Sequence, residues 1–285
     1  MEPVIVADYR CVTGEGPLWH PDEGRLYWVD IPTGRLFRLD PATGAHEQCY
    51  SGPAVGGFTL QADGKLLLFM EQGAIRLWHD GFCETIVESI PRESDSRFND
   101  VIADPEGRVF CGTMATAAHE GRLYRLDPDG SLHVVLEDVG ISNGMGFTPD
   151  ARGLYYTDTR ARRIDLFDYD RATGEICNRR VFSPVPEGEG GPDGMTVDAE
   201  GMVWSARWNG SCVVRLDAQG RETRRITFPA KKVSCPAFGG AGYADLYITT
   251  AGGDNKEEEG AGAGALYRVD AGVCGVPEYR SRIGL

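Results

Sequence analysis

Four polar residues that could bind a cation stand at the starts of short apolar segments that are far apart in the chain. Glu15 lies in GEGPLW, Asn99 in RFNDV, Asn143 in SNGMG and Asp193 in PDGMT. Two of these side chains are carboxylates and two are amides, so all four offer oxygen atoms. Oxygen ligands suit hard cations such as Ca²⁺, Mg²⁺ or Mn²⁺, and the absence of His and Cys from the set argues against a classical structural zinc site. The alternative for each residue alone is turn capping, because Asn and Asp before Gly are common turn formers.

An internal repeat relates these residues to one another. Each of six copies has a turn with Asp and Gly, a strand that ends near an aromatic residue, and a second strand with RLD or a similar sequence. A period of about 45 residues with four short strands is typical of a β-propeller blade. The hydrophobic residues that mark the copies are Leu26, Leu66, Val109, Leu154, Val203 and Leu246.

The repeat predicts an all-β fold, a single six-bladed β-propeller domain over residues 1–285 with little helix. The end segments PVIVADY and PEYRSRI are expected to be extra strands that complete a shared blade and close the ring. Closure would bring the first residue of each innermost strand to one mouth of the central channel. These residues are Glu15, Gly56, Asn99, Asn143, Asp193 and Pro236. Carboxylates crowded there would repel and lose hydration, so we interpret the polar members as a divalent-cation site.

Composition restricts the partners and the compartment. The chain has 285 residues, a formal charge of −14 and a sequence pI of about 4.8, which argues against nucleic acid or an anionic membrane as a partner. No segment approaches 18 apolar residues, and the first ten residues do not have the pattern of a signal peptide. The eight widely spaced cysteines favour buried, reduced thiols, and we expect a cytoplasmic protein. A monomer is the default expectation.

The sequence also resembles the gluconolactonase and regucalcin family of six-bladed propeller sugar lactonases, also called the senescence marker protein family. The resemblance covers nearly the whole chain and depends on five motifs, GEGPLW, SRFNDVIADPEGRVFCGTM, ISNGMGF, PDGMTVDAEGMVWSARWNG and KVSCPAFGGAGYADLYITTA. It implies that Glu15, Asn143 and Asp193 hold one divalent metal ion. It also implies that Arg97 and Asn99 contact the substrate, with Asn99 near the metal. Some members carry a Glu in the loop after GTM, where this chain has Ala117.

The resemblance implies metal-dependent hydrolysis of a sugar lactone to its aldonic acid, with gluconolactone, xylonolactone or arabinonolactone as candidate substrates, and the polar residues at the channel mouth agree with it. A bound ion (Ca²⁺, Mn²⁺, Zn²⁺, Mg²⁺ or Fe²⁺) would polarise the lactone carbonyl or a bound water. Asp193 is the candidate general base, and Arg97 and Asn99 would orient sugar hydroxyls or the developing oxyanion. Asp100 is either a support for this site or a turn-capping residue.

Loops between the second and third strands of the blades should border the same mouth. They place His119 among the candidate substrate contacts and bring Trp208 and Asn209 to the same rim, with ordinary loop surface as the alternative. The segment GGDNKEEEGAGAGA is expected to be a flexible surface loop, with a lid or a second cation site as the alternatives. Two other functions stay open. One is hydrolysis of other esters or phosphotriesters, and the other is a non-catalytic calcium-binding regulatory propeller.

Overall fold

The computed structural model describes residues 2–285 and contains six four-stranded antiparallel sheets, which confirms the all-β six-bladed propeller. The strands up to the third sheet are β1 (Val4–Asp8), β2 (Gly14–His20), β3 (Arg25–Asp30), β4 (Arg35–Leu39), β5 (His46–Ser51), β6 (Val55–Leu60), β7 (Leu66–Met70), β8 (Ile75–His79), β9 (Phe82–Val87), β10 (Phe98–Ala103), β11 (Val109–Thr113), β12 (Gly121–Leu126) and β13 (Leu132–Val139). The remaining strands are β14 (Ser142–Phe147), β15 (Gly153–Asp158), β16 (Arg163–Tyr169), β17 (Ile176–Pro184), β18 (Gly191–Val197), β19 (Val203–Trp208), β20 (Cys212–Leu216), β21 (Glu222–Thr227), β22 (Val233–Gly239), β23 (Asp245–Thr250) and β24 (Ala265–Asp270).

Helix is scarce, as the repeat predicts. The part of the chain that the structure describes has one short α-helix, α1 (Lys256–Glu259). It also has 3₁₀ turns at Ile31–Thr33, Pro91–Glu93, Ala241–Tyr243 and Gly253–Asn255. Within residues 2–285, no helix has the length and hydropathy required to span a bilayer.

One of the two predicted closing strands is present. The sixth sheet has the order β1-β24-β23-β22, so the N-terminal segment supplies its outermost strand and joins the two ends of the ring. The prediction of a second closing strand over residues 277–283 is wrong. That segment makes one isolated bridge, between Ser281 and Gln61, and the Arg282 amide bonds the Gly107 carbonyl oxygen. Each sheet already has four strands, so the segment crosses from blade to blade instead of extending one of them.

Alternating side chains on the second strands connect neighbouring blades. On β3, Tyr27 and Val29 pack in a core cluster with Val55 and other residues of the second blade. Leu26 and Trp28 of the same strand pack in a different cluster that includes Tyr247 of the sixth blade. Successive residues of a strand point to opposite faces of its sheet, so one strand contributes to two interfaces. This packing fixes the innermost strands around the channel.

Every innermost strand has a break in its pairing register close to the channel mouth. The shifts fall between Glu15 and Leu18, Val55 and Gly57, Phe98 and Val101, Asn143 and Met145, Pro192 and Met195, and Val233 and Cys235. A bulge of this kind inserts an unpaired residue and redirects nearby side chains. The candidate ligands therefore stand where the regular alternation of the strand is interrupted.

The strand pairing corrects the sequence assignment of one of the six equivalent positions at the channel mouth. Trp19 pairs with Leu26 in the first blade, and Phe238 pairs with Leu246 in the sixth. Counting back equally from these pairs makes Ser234, and not Pro236, the equivalent of Glu15. The sequence spacing was misleading because the turn between β22 and β23 is longer and contains a 3₁₀ turn.

The cysteines only partly match the expectation of buried thiols. All eight are unpaired, and Cys11, Cys111, Cys212 and Cys235 are buried. Cys49 is half-buried, and the others are exposed, namely Cys83, Cys177 and Cys274. Cys83 and Cys177 lie on outermost strands, β9 and β17, where a blade has no neighbouring sheet to cover it.

Candidate metal centre and active site

A cavity of about 210 Å³ at one mouth of the channel brings most of the candidate residues together. Its polar lining includes Glu15, Arg97, Asn99, Asn143 and Asp193, which come from four different blades. The rest of the wall is mostly apolar or small and consists of Thr13, Ile31, Met114, Ile141, Thr159 and Trp208. Ring closure therefore converts positions that are distant in sequence into one pocket.

Glu15 and Asp193 are carboxylates held in a poorly hydrated place. Each is only 3% exposed. Burial, together with the charges of Asp193 and Asp100, raises the pKa of Glu15 well above its usual value. Burial and the Asp100 charge raise the pKa of Asp193 in the same way. The charge of Arg97 opposes both shifts. Two buried carboxylates beside one cation are still costly, and a bound metal ion would relieve that cost.

Asn143 supplies a third oxygen. Its amide nitrogen donates a 3.0 Å hydrogen bond to Thr159 Oγ1. Its Oδ1 is buried and has no hydrogen-bond partner among the described residues. It is one of ten such atoms among the described residues, and it is the one whose residue lines the cavity with Glu15 and Asp193, where an ion would satisfy it. Glu15, Asn143 and Asp193 therefore fit a hard divalent cation bound by carboxylate and amide oxygens.

The three proposed ligands are two carboxylates and one amide, so a search for clusters of acidic, histidine and cysteine side chains does not find this site. Residues 2–285 contain no group of three or more His, Cys, Asp or Glu side chains arranged as metal ligands. One of the three oxygens at this site belongs to an amide. The sequence signal for it was its position in the repeat, and not a local ligand motif.

Arg97 and Asn99 form a linked pair beside the carboxylates. Arg97 Nη1 donates to Asn99 Oδ1 at 2.7 Å and to the Phe98 carbonyl oxygen at 2.8 Å. Asn99 Nδ2 donates at 2.7 Å to the carbonyl oxygen of Ser142, the residue before Asn143. Burial lowers the pKa of Arg97, and the charge of Glu15 opposes that effect. Asn99 thus holds the guanidinium in the cavity while its own amide is largely used by protein partners.

Asp100 occupies the deeper part of the channel. It lines a second, narrower space of about 70 Å³ together with Met145, Met195 and Cys235. Burial raises its pKa to about 7, and Arg97 acts in the opposite direction. Its charge bears on both Glu15 and Asp193. The structure therefore favours a supporting electrostatic position for Asp100 over a turn cap.

The structure does not bring His119 into the cavity. Its Nδ1 lies 2.9 Å from the Glu120 carbonyl oxygen, and its Nε2 lies 2.9 Å from Asp95 Oδ1. Both ring nitrogens therefore face acceptors of the protein itself, which raises the pKa of His119. Ala117, in the same loop, is exposed. Hydrogen bonds to the Glu120 carbonyl oxygen and to Asp95 turn the imidazole away from the cavity, where the loop position suggested it would lie.

The other rim residues divide between two adjoining spaces. Trp208 lines the cavity, while Asn209 lines an open groove of about 390 Å³ that shares Thr159 and Trp208 with it. Lys232 Nζ lies 5.5 Å from the centre of the Trp208 ring and 2.8 Å from Glu259 Oε1. The Trp208 ring is therefore fixed from one side by a cation that is itself paired.

The segment 252–265 differs from the expected flexible loop. The Gly252 and Gly253 amides bond the carbonyl oxygens of Val12 and Cys11, and the Gly264 carbonyl oxygen accepts from the Cys11 amide. The segment also contains α1, and Ala263 is fully buried. These contacts attach it to the segment that leads into the first blade.

Sequence reasoning missed Thr159 and Ser234. Thr159 follows β15 and contacts Asn143 through its hydroxyl group, and Ser234 is fully buried beside the first blade. Thr159 lies outside every innermost strand, so the repeat gave no reason to examine it. Ser234 could have been found by counting back from Phe238, had the length of the following turn been known.

Comparison with known proteins agrees with this architecture. Residues 13–252 match the family model described as the SMP-30/Gluconolactonase/LRE-like region. The chain is 50% identical to the pentonolactonase XacC of Haloferax volcanii over 98% of both chains, and 33% identical to human regucalcin over 98% of this chain and 97% of that one. The crystal structure of regucalcin from Agrobacterium tumefaciens, described as a calcium-binding protein, superposes with a TM-score of 0.91 at 27% identity, covering 98% and 97% of the two chains. The chain belongs to the SMP-30/gluconolactonase/LRE-like family.

Proposed function

We propose that this protein is a divalent-metal-dependent lactonase that hydrolyses a sugar lactone to its aldonic acid. The observation that carries the proposal is the convergence of Glu15, Asn143 and Asp193 in one buried cavity, with Asn143 Oδ1 left without a protein partner. The names of relatives support the reaction, since the XacC protein is called a pentonolactonase.

Glu15, Asn143 and Asp193 would hold the ion, which when bound would supply Lewis acidity toward the lactone carbonyl or a water. Asp193 accepts a proton from the attacking water at a carboxylate oxygen, as a general base. The same proton then passes to the ring oxygen as the carbon–oxygen bond breaks, so that the products are a carboxylic acid and a hydroxyl group. Burial raises the pKa of Asp193 in the metal-free protein, and a bound cation would oppose that shift. The general-base role therefore rests on the position of this carboxylate beside the ion.

Arg97 is the residue we assign to the developing negative charge. The hydrogen bonds of its side chain within residues 2–285 are both donated by Nη1, which leaves the rest of the guanidinium for substrate oxygens. A donor held in place before the reaction stabilises the transition state without reorganisation. Asn99 orients Arg97 and is a proposed substrate contact. His119 would have to leave Asp95 to reach a substrate, so its contribution in this proposal is to hold its loop.

We further propose that the substrate is a pentonolactone, such as xylonolactone or arabinonolactone, in preference to gluconolactone. Ile31, Met114 and Ile141 form apolar walls of the cavity that offer no side-chain hydrogen bonds to an additional hydroxymethyl group. A site that leaves a buried hydroxyl without a partner discriminates against the substrate that carries it. The name of the Haloferax relative points to the same substrate class.

Acid release from the three lactones tests the proposal. The purified protein is treated with a chelator, supplied in turn with Ca²⁺, Mn²⁺, Mg²⁺, Zn²⁺ or Fe²⁺, and followed with a pH indicator against the spontaneous rate. We expect acceleration that requires an ion, a higher kcat/KM for the five-carbon lactones, and loss of activity in Asn143→Ala. No acceleration of any lactone with any ion would overturn the lactonase assignment. Calcium binding without turnover would favour the non-catalytic calcium-binding propeller.

A further inference from the structure

The backbone just before each of the three proposed ligands is held by a side chain from another blade or from the loop that follows it. In each case the carbonyl oxygen of the preceding residue accepts a short hydrogen bond. The three bonds are Ser234 Oγ to Gly14 O at 2.6 Å, Asn99 Nδ2 to Ser142 O at 2.7 Å, and Thr159 Oγ1 to Pro192 O at 2.7 Å. Gly14, Ser142 and Pro192 come immediately before Glu15, Asn143 and Asp193.

We infer that Thr159 and Ser234 are positioning residues of the metal centre, which set the orientation of the ligands without binding the ion. This inference deepens the proposed function and rests on its metal site. Thr159 lies outside every motif named in the sequence analysis, and Ser234 lies in KVSCPAFGGAGYADLYITTA but was not itself singled out.

Thr159 contacts two of the ligand segments through one hydroxyl group. Its Oγ1 accepts the hydrogen bond from Asn143 Nδ2 and donates its single proton to the Pro192 carbonyl oxygen. The Asn143 amide is therefore fixed with its nitrogen toward Thr159, and Oδ1 is the atom left for a cation. With the amide reversed, an NH₂ group would face the ion. The same hydroxyl also ties the amide to the strand that carries Asp193.

Ser234 holds the backbone next to Glu15 by a hydrogen bond across the junction between the sixth and first blades. The Ser234 side chain is fully buried, and its hydroxyl oxygen lies 2.9 Å from Thr249 Oγ1. With this hydroxyl acting as donor to the Gly14 carbonyl oxygen, the backbone turn that presents Glu15 is fixed from the side. Glu15 lies next to a register shift, where ladder hydrogen bonds alone do not define the direction of a side chain.

A purely structural role makes a different prediction from a positioning role. If these bonds only fasten the blades together, their loss should lower the melting temperature and leave metal affinity unchanged. If they orient ligands, their loss should weaken metal binding by more than any loss of fold explains. Outer contacts that orient metal ligands typically contribute about 10- to 100-fold to metal affinity.

The test uses full-length protein and titration calorimetry with Ca²⁺ and with Mn²⁺, with the melting temperature of the metal-free protein measured in parallel. Thr159→Val removes the hydroxyl at nearly constant volume, and Thr159→Ser restores it. The matched control is Thr157→Val. Thr157 is fully buried on β15, two residues before Thr159, and its hydroxyl has no hydrogen-bond partner among the described residues. Ser234→Ala is the second, independent variant.

We expect a Kd about 10- to 100-fold higher for Thr159→Val and Ser234→Ala, and a Kd near the wild-type value for Thr159→Ser and Thr157→Val. If Thr159→Val does not fold, Ser234→Ala and Thr159→Ser decide the question by the same criteria. Equal metal affinity in Ser234→Ala and the control, or a Thr159→Ser protein as impaired as Thr159→Val, would overturn the inference alone. A wild-type protein that binds neither ion would overturn the proposed metal site and this inference with it.

Discussion

Replacing Asp193 by Asn should raise the stability of the metal-free protein and abolish its stabilisation by metal. The substitution removes one negative charge while the shape of the side chain is kept. Asp193 is 3% exposed, and burial raises its pKa well above the usual value. A carboxylate with a raised pKa destabilises the folded state when it is ionised. The destabilisation is absent below the pKa of the unfolded chain, at about 4, and grows as the pH rises toward the folded-state pKa.

The size of both effects follows from the length of the chain and from linkage. At about 2.1 cal/mol/K per residue, 285 residues give an unfolding entropy of about 0.6 kcal/mol/K. An ion at 100 times its Kd stabilises the folded state by about 2.7 kcal/mol, so the wild-type melting temperature should rise by about 4 to 5 °C. Each pH unit by which the Asp193 pKa is raised costs the ionised metal-free protein about 1.4 kcal/mol, or about 2 °C.

Scanning calorimetry at about pH 8, with chelator and then with saturating Ca²⁺ or Mn²⁺, measures both effects. Without metal, the melting temperature of Asp193→Asn should be higher than that of the wild type. With saturating metal, it should be lower than that of the wild type. Asp198→Asn is the control, because Asp198 is also fully buried but accepts hydrogen bonds from Trp204 Nε1 and Arg215, away from the cavity. The Asp198→Asn protein should have a lower melting temperature than the wild type, and metal should raise that temperature by the same amount as in the wild type. A full metal shift in Asp193→Asn, or a metal-free variant less stable than the wild type, would refute the reasoning.

Three further predictions concern residues around the site and the ring. Arg97→Lys should lower kcat/KM by about 10²- to 10³-fold while the metal-dependent rise in melting temperature persists, and steady-state kinetics with calorimetry checks both. Deleting β1 exposes the edge of β24 and should lower the free energy of unfolding by on the order of 3 kcal/mol, measured by urea titration. His119→Ala should cost stability at acidic pH and little at alkaline pH. The raised pKa of His119 means that its contribution is fully present below about pH 6.5 and is lost as the pH rises through the folded-state value; a constant difference across pH would contradict this.

The sequence predicted the ring and the members of the cavity better than it predicted their immediate partners. Glu15, Asn143 and Asp193 could be placed together because blade closure follows from a repeat that spans the whole chain. His119 could not be placed, because its direction depends on Asp95, which lies in the connection into the third blade and outside the His119 hairpin. Ser234 was displaced by two residues in the sequence alignment because one turn is longer than the others. Orientation within a loop and register after a turn depend on local hydrogen bonds, which periodicity does not describe.

The register also explains why a ring with six equivalent positions would hold an ion with only three ligands. At Gly56 a Cβ atom would lie 1.9 Å from the Phe98 carbonyl oxygen, so the close approach of the next blade excludes any side chain. The Ser234 hydroxyl donates a hydrogen bond to the Gly14 carbonyl oxygen. The Asn99 amide accepts a hydrogen bond from Arg97 and donates one to the Ser142 carbonyl oxygen. The remaining three positions carry the oxygen atoms available to a cation. A hard ion takes six or more ligands, so such a site would leave several coordination positions for water and substrate. Because only three of the six positions supply ligands, the ion would keep free coordination positions, and these are what hydrolysis of a bound substrate requires.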